Sequence, residues 1–206
     1  MQEAVILANG NFPNSPETLE TLNHAPYICC CDGAAEKLIA YGRIPNAIVG
    51  DGDSLSEEIR KEHKDIIHIV KEQEFNDLTK ATRFCISQGA KKIIYLGATG
   101  QREDHTLGNI SLLSFYQEEF GIEVSMLTDH GIFHTGRSGF TEFCSFPGQQ
   151  ISIFNISCST IMSEGLRWQT YAYKQLWQGT LNEATGHSFT LKTDGKYIVY
   201  STYKAK

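Results

Sequence analysis

Short apolar runs alternate with stretches of helical periodicity through the first 127 residues of this chain, and that rhythm limits the folds open to it. The runs at 5–8, 27–31, 47–49, 66–70, 93–96 and 124–127 are predominantly apolar, interrupted only by His68 and Ser125, and read as buried strands. Amphipathic stretches lie between several of them. In the clearest, 77–88, Leu78, Ala81, Thr82 and Cys85 recur at helical spacing, with Asn76 placed as N-cap and Gly89 as stop. Another covers 106–120 and ends at Gly121. Alternating strands and helices cover both faces of a sheet, so the expected class is α/β, a mostly parallel doubly wound sheet.

After Asp129 the texture changes. Glycine and aromatic residues punctuate short alternating segments at 149–155, 188–192 and 197–202, and helical periods disappear. This predicts a smaller all-β domain, sandwich or barrel-like. The expected division is 1–132 and 133–206, with no internal repeat and no low-complexity tract.

Composition removes several classes of function. The net charge is −6, and the 18 Lys and Arg residues are scattered, which is not the electrostatic footprint of a nucleic-acid binder. Any phosphate handled here is expected to arrive with a cation. No basic segment precedes the first strand and no apolar run reaches membrane length, so a soluble cytoplasmic protein is expected, with no membrane partner. The six cysteines show no CxxC spacing and read as small buried side chains.

The chemistry-bearing residues sit just past predicted strand ends. Asn9 and Gly10 follow the first strand, Asp32 and Gly33 the second, and Gly50, Asp51, Gly52, Asp53 and Ser54 the third. Asn76 and Asp77 follow the fourth. Gly97, Ala98, Thr99 and Gly100 follow the fifth, leading to Arg102, Asp104 and His105. In an open parallel sheet these ends share one edge, where ligands bind. If the backbone stays extended, Asp51 and Asp53 face the same side; the plainer reading of the pair is a turn. With Asp77 they form an acidic set that calls for a hard cation, and carboxylate ligation completed by phosphates describes Mg²⁺. Asp77 and Lys80 share a helix face, either as a surface ion pair or as a metal ligand beside a phosphate-binding lysine. The loop at 97–100 is either a plain turn or a phosphate cradle. Asp104 is either a helix cap or a site residue, His105 either packs or binds, and Trp168 and Trp177 are either β-domain core or, for Trp168, ligand-facing.

Taken in order and spacing, these motifs resemble the thiamine pyrophosphokinase family. That family carries an aspartate-glycine turn, a G-D-x-D-S loop, an N-D-x-T-K helix start and a G-x-x-G-x-R-x-D-H loop. They appear here at Asp32 to Ala35, at Gly50 to Ser54, at Asn76 to Lys80 and at Gly97 to His105, the last continuing through Asn109. The likeness continues at Ser163 to Trp168 and at Gly179 to Glu183. It implies a nucleotide-binding α/β domain, a β-rich thiamine-binding domain, Mg²⁺, and a homodimer with sites between subunits. Asp51, Asp53 and Asp77 become metal candidates, and with Lys80, Arg102 and Asp104 they form the catalytic set. Asp32, Asn76, Thr99, His105, Trp168 and Asn182 become substrate-binding. The implied substrates are ATP and thiamine, whose hydroxyl attacks the β-phosphorus with AMP leaving. Ala34 and Glu36 stand where the family usually has glycine and asparagine, Gly52 replaces a frequent aromatic residue, and Leu181 replaces a serine. The rival readings are a pyrophosphokinase for another small alcohol, such as a hydroxymethylpterin, a non-catalytic sensor of ATP and thiamine diphosphate, and a metal-dependent phosphohydrolase.

Overall fold

The computed structural model describes residues 1–205. Six strands, β1 (Glu3–Leu7), β2 (Ile28–Cys31), β3 (Ala47–Gly50), β4 (Ile67–Ile69), β5 (Lys92–Leu96) and β6 (Glu123–Thr128), lie parallel in the order β6-β5-β1-β2-β3-β4. All six coincide with the apolar runs, but β4 is not the buried strand expected: it lies at the sheet edge, with His68 and Ile69 exposed. Residues alternate between two cores, as a two-sided sheet requires. Ile6, Cys29, Val49 and Tyr95 face helices α4 (Asp77–Ser87) and α5 (Glu103–Phe120). Val5, Leu7, Cys30 and Ile48 face α1 (Pro16–His24), α2 (Ala34–Ala40) and α3 (Glu57–Glu62). Helix α4 starts as its sequence requires: Asn76 caps it by accepting the Thr79 N–H at 3.0 Å, a contact worth about 1 kcal/mol. Its buried hydroxyls are paired, Thr79 with the Tyr116 hydroxyl at 2.7 Å and Thr82 with that of Tyr95 at 2.9 Å. Helix α5 begins at Glu103, three residues before the expected start, because its first turn is polar and carries no apolar period.

The sheet does not stop at β6. Strand β7 (Gly131–Gly136) folds back antiparallel on β6, and β13 (Tyr197–Ala205), β9 (Gln149–Asn155) and β11 (Asn182–Glu183) extend it to ten strands. A separate sheet of β10 (Ile161–Glu164), β12 (Ser188–Thr193) and β8 (Gly139–Cys144) packs on this extension. Ile151, Ile153, Tyr197 and Val199 from one layer meet Ile161, Phe189 and Leu191 from the other. The β-rich region is therefore a sandwich whose first layer continues the α/β sheet. The opposite side of that layer, through Ile198 and Phe133, joins the core under α4 and α5. Five cysteines are buried as expected; Cys144, on β8 of the outer layer, is exposed.

Candidate active site

Strands β1 and β5 are adjacent, yet their following connections run to opposite sides of the sheet, which makes their carboxyl ends a topological switch point. The two loops interlock there. The Gly10 N–H donates to Gly97 O at 2.7 Å and the Asn11 N–H to Thr99 O at 2.9 Å. A Cβ at Gly10 would collide with both carbonyls, so only glycine permits the approach. Asn109 of α5 ties the walls further: its side-chain nitrogen donates to Ala98 O at 2.8 Å and its oxygen accepts from Asn76 at 3.3 Å. Above this lies a crevice of about 320 Å³ lined by Asp32, Asn76, Asp77, Thr99, Arg102 and His105. Asn9, Ser54, Gln101, Thr106 and Asn109 also line it. Of these, Asn109 lay within the family-like stretch, one helical turn beyond His105, the spacing that places both on one face of α5.

Asp32 has φ +39°, is 4% exposed, and accepts the Ser54 N–H at 2.9 Å through Oδ2. Its Oδ1 is buried without a protein partner among the described residues. Burial raises its pKa, the Ser54 N–H opposes that, and the charges of Asp77 and Asp51 push it further up. The extended alternative for Asp51 and Asp53 fails. Gly52 takes φ +86°, the segment is a turn, and Asp51 Oδ1 accepts the Asp53 N–H at 3.1 Å. That N–H is the main cause of a lowered Asp51 pKa, helped by Gln73 and Lys80. Asp53 is exposed. Neither Asp51 nor Asp53 lines the crevice itself; Ser54 of the same loop does.

The surface-pair alternative for Asp77 and Lys80 also fails. Their 3.3 Å ion pair joins a half-exposed carboxylate to a lysine whose side chain is 3% exposed. Arg102, not Asp104, is the N-cap residue of α5. It grips Asp104 with Nε–Oδ1 at 3.1 Å and Nη2–Oδ2 at 2.5 Å, which holds the Asp104 pKa down at about 2. His105 is exposed on the crevice rather than packed. The carbonyls of Gly97, Ala98 and Thr99 accept from Gly10, Asn109 and Asn11. The N–H groups from Ala98 to Arg102 find no acceptor among the described residues.

Trp168 and Asn182 lie elsewhere, on a second hollow of about 280 Å³ in the sandwich, with Tyr171, Tyr173 and Leu181. Asn182 is buried and braces the backbone of Trp168, accepting its N–H at 3.1 Å and donating to its carbonyl at 2.8 Å. The braced ring is 51% exposed and carries the Arg167 guanidinium 5.1 Å from its centroid. Trp177 is not core: it is 73% exposed on a short 3₁₀ turn, Leu176–Gly179.

A switch-point crevice with acidic walls, bordered by a loop of free N–H groups leading into a helix, defines a nucleotide-handling α/β enzyme. Family models agree on which one. The model for "Thiamin pyrophosphokinase, catalytic domain" matches residues 18–125, and that for "Thiamin pyrophosphokinase, substrate-binding domain" matches residues 131–200. The chain belongs to the thiamin pyrophosphokinase family, and is an ATP-dependent diphosphotransferase that forms thiamine diphosphate and AMP. Solved structures share its fold. Thiamine pyrophosphokinase from Bacillus subtilis superposes with a TM-score of 0.80 at 20% identity, covering 98% of this chain and 100% of that one. Thiamin pyrophosphokinase from Candida albicans gives 0.81 at 17% identity, covering 98% and 89%. The yeast enzyme gives 0.81 at 17%, covering 98% and 86%. No curated protein sequence matches.

Proposed function

We propose that ATP binds in the switch-point crevice and that the thiamine hydroxyl attacks its β-phosphorus there, releasing AMP. The observation that carries this reading is the gathering of Asp32, Asn76, Asp77, Thr99, Arg102 and His105 around one crevice, beside the unpartnered N–H groups of the loop after β5. Pyrophosphoryl transfer needs positioning and charge neutralisation more than covalent help. In this reading the loop N–H groups and Arg102 take phosphate oxygens, with Asp104 setting the orientation of the Arg102 fork. Asn76, Thr99 and His105 contact the nucleotide. Lys80 offsets charge from behind Asp77.

The donor chemistry fits Mg²⁺. Asp51, Asp53 and Asp77 are hard oxygen ligands, Asp53 carries no internal hydrogen bond on its carboxylate, and Asp32 Oδ1 is buried without a partner. Among the described residues no three acidic, cysteine or histidine side chains lie close enough together to hold a metal ion by themselves. An ion that keeps waters and is completed by substrate phosphates does not require such a set. Bound there by Asp51, Asp53 and Asp77, Mg²⁺ would supply charge neutralisation at the phosphate oxygens.

Thiamine is a flat cation, suited to the exposed face of Trp168 by cation–π attraction, with Asn182 holding that ring in place. We assign residues 1–132 to catalysis and 133–206 to thiamine binding. The crevice and the Trp168 hollow share no lining residue, so we propose a homodimer in which the hollow of one copy serves the crevice of its partner. No helix among the described residues is long and apolar enough to cross a membrane, and we propose a cytoplasmic location. The test is AMP release from ATP and Mg²⁺ against a panel of acceptors. Thiamine should be used and a hydroxymethylpterin not. Release without any alcohol, or ADP as the product, would exclude the assigned reaction.

A further inference from the structure

The acidic loop at 51–56 is gripped from outside by two residues that play no part in the chemistry above. Arg60, on α3, donates from Nε to Leu55 O at 3.2 Å and from Nη2 to Gly52 O. One planar guanidinium thus spans two carbonyls three residues apart, which a lysine cannot do. On the other flank, the Ser56 N–H donates to Glu36 Oε1 of α2 at 2.9 Å. Between these holds, the Ser54 N–H is fixed by Asp32 at 2.9 Å. Every hold is made to loop backbone, so the side chains of Asp51 and Asp53 are left free of it.

Glu36 and Gly52 are also two of the positions at which the sequence departs from the family pattern, where asparagine and an aromatic residue are usual. The structure links the two departures. Gly52 sits at φ +86°, a backbone conformation that strains any residue bearing a Cβ, so the loop in this shape disfavours an aromatic anchor at this position. The loop is held instead by the Arg60 fork at Gly52 and Leu55 and by Glu36, whose side chain is one methylene longer than asparagine, at Ser56. A loop bearing two like charges opens readily unless something restrains it, and a guanidinium on its carbonyls supplies both restraint and opposite charge.

We infer that Arg60 and Glu36 are positioning residues, a two-sided clamp that presets the backbone of the loop carrying Asp51 and Asp53. What the loop holds, Mg²⁺ with phosphate, rests on the function proposed above; the clamp itself does not.

Hydrogen exchange of the metal-free, full-length protein tests the clamp directly. Losing the two Arg60 bonds should speed exchange in the loop peptide about tenfold in Arg60→Met, with peptides from β1 and β5 unchanged. The Mg²⁺ concentration for half-maximal AMP formation should rise about tenfold, while kcat at saturating Mg²⁺ stays within about threefold of wild type. Arg60→Lys keeps the charge but not the fork and should leave most of the defect. Glu36→Gln keeps an acceptor and should behave as wild type, whereas Glu36→Ala should speed exchange at the Ser56 end alone. Unchanged loop exchange in both Arg60→Met and Glu36→Ala would overturn the clamp, as would full recovery in Arg60→Lys or acceleration throughout the core. If wild type forms no AMP with thiamine, the assigned reaction falls, and the exchange data still decide the clamp.

Discussion

Lys80 Nζ lies 3.3 Å from Asp77 Oδ1, and the two partners are buried to very different degrees: the lysine side chain is 3% exposed and the aspartate 42%. The pair is therefore asymmetric in its response to mutation. Asp77→Asn leaves a buried ammonium facing a neutral amide, and should lower metal-free stability by about 1–3 kcal/mol. Lys80→Met leaves a carboxylate that water can reach, and should cost less. Melting temperatures of the two variants check this. Equal losses, or a larger loss in Lys80→Met, would mean that the lysine is not buried as described.

Asp32 gives a pH-dependent prediction. Its carboxyl titrates above the ordinary 3.8, mainly through burial. The folded state then holds its proton to higher pH than the unfolded state, so this group's contribution falls as pH rises from the ordinary value through the raised one. Above that window the cost of the buried charge is complete. Asp32→Asn keeps an acceptor for Ser54 and removes the titration. The melting temperature of the variant relative to wild type should therefore be highest at neutral pH and fall away near pH 3.8. A difference that does not vary with pH would contradict the burial of this charge.

How far the sequence reveals such features depends on the physics behind each. The central parallel strands were legible because burial on both faces leaves apolar runs, whereas the edge strand β4 was read as buried and is exposed at His68 and Ile69, and the Asn76 cap was legible because its hydrogen bond is local. Lys80 was not: its burial depends on Asp77 and on packing that no spacing reports. The continuation of the sheet through β7 was equally hidden, since the β13–β7 and β13–β9 pairings join segments distant in the chain. The backbone turn at Gly52 resolved an ambiguity that Asp51 and Asp53 alone left open. The crevice was legible as a set of strand ends, but the Trp168 hollow came only from resemblance, because its exposed aromatic residues read equally well as core.

Arg102 and Asp104 supply a prediction that needs no substrate. The guanidinium, then the His105 N–H, holds the exposed Asp104 carboxyl at about 2. Lowered in the folded state, this acid keeps its favourable contact above the ordinary value and loses it as pH falls toward 2. In Arg102→Met the Asp104 pKa, followed by carbon-detected NMR, should rise toward the ordinary carboxylate range. A value that stays near 2 would show that Arg102 does not hold this carboxylate in solution.

The central claim is that the carboxylates after β3 and at the start of α4 carry the pyrophosphoryl transfer, and turnover of single Asn variants tests it most directly. Asp51→Asn, Asp53→Asn and Asp77→Asn each keep the shape of the side chain and remove one charge. With ATP, thiamine and saturating Mg²⁺, each should form AMP about 100-fold more slowly than wild type or worse, because charge stabilisation in the transition state is lost. Metal-free melting should be unchanged for Asp53→Asn, and lower for Asp51→Asn, whose charge the Asp53 N–H favours, and for Asp77→Asn, which leaves Lys80 unpaired. Asn serves a turn as well as Asp does. Near-normal turnover in all three variants would therefore contradict the account and leave these residues as turn formers and nothing more.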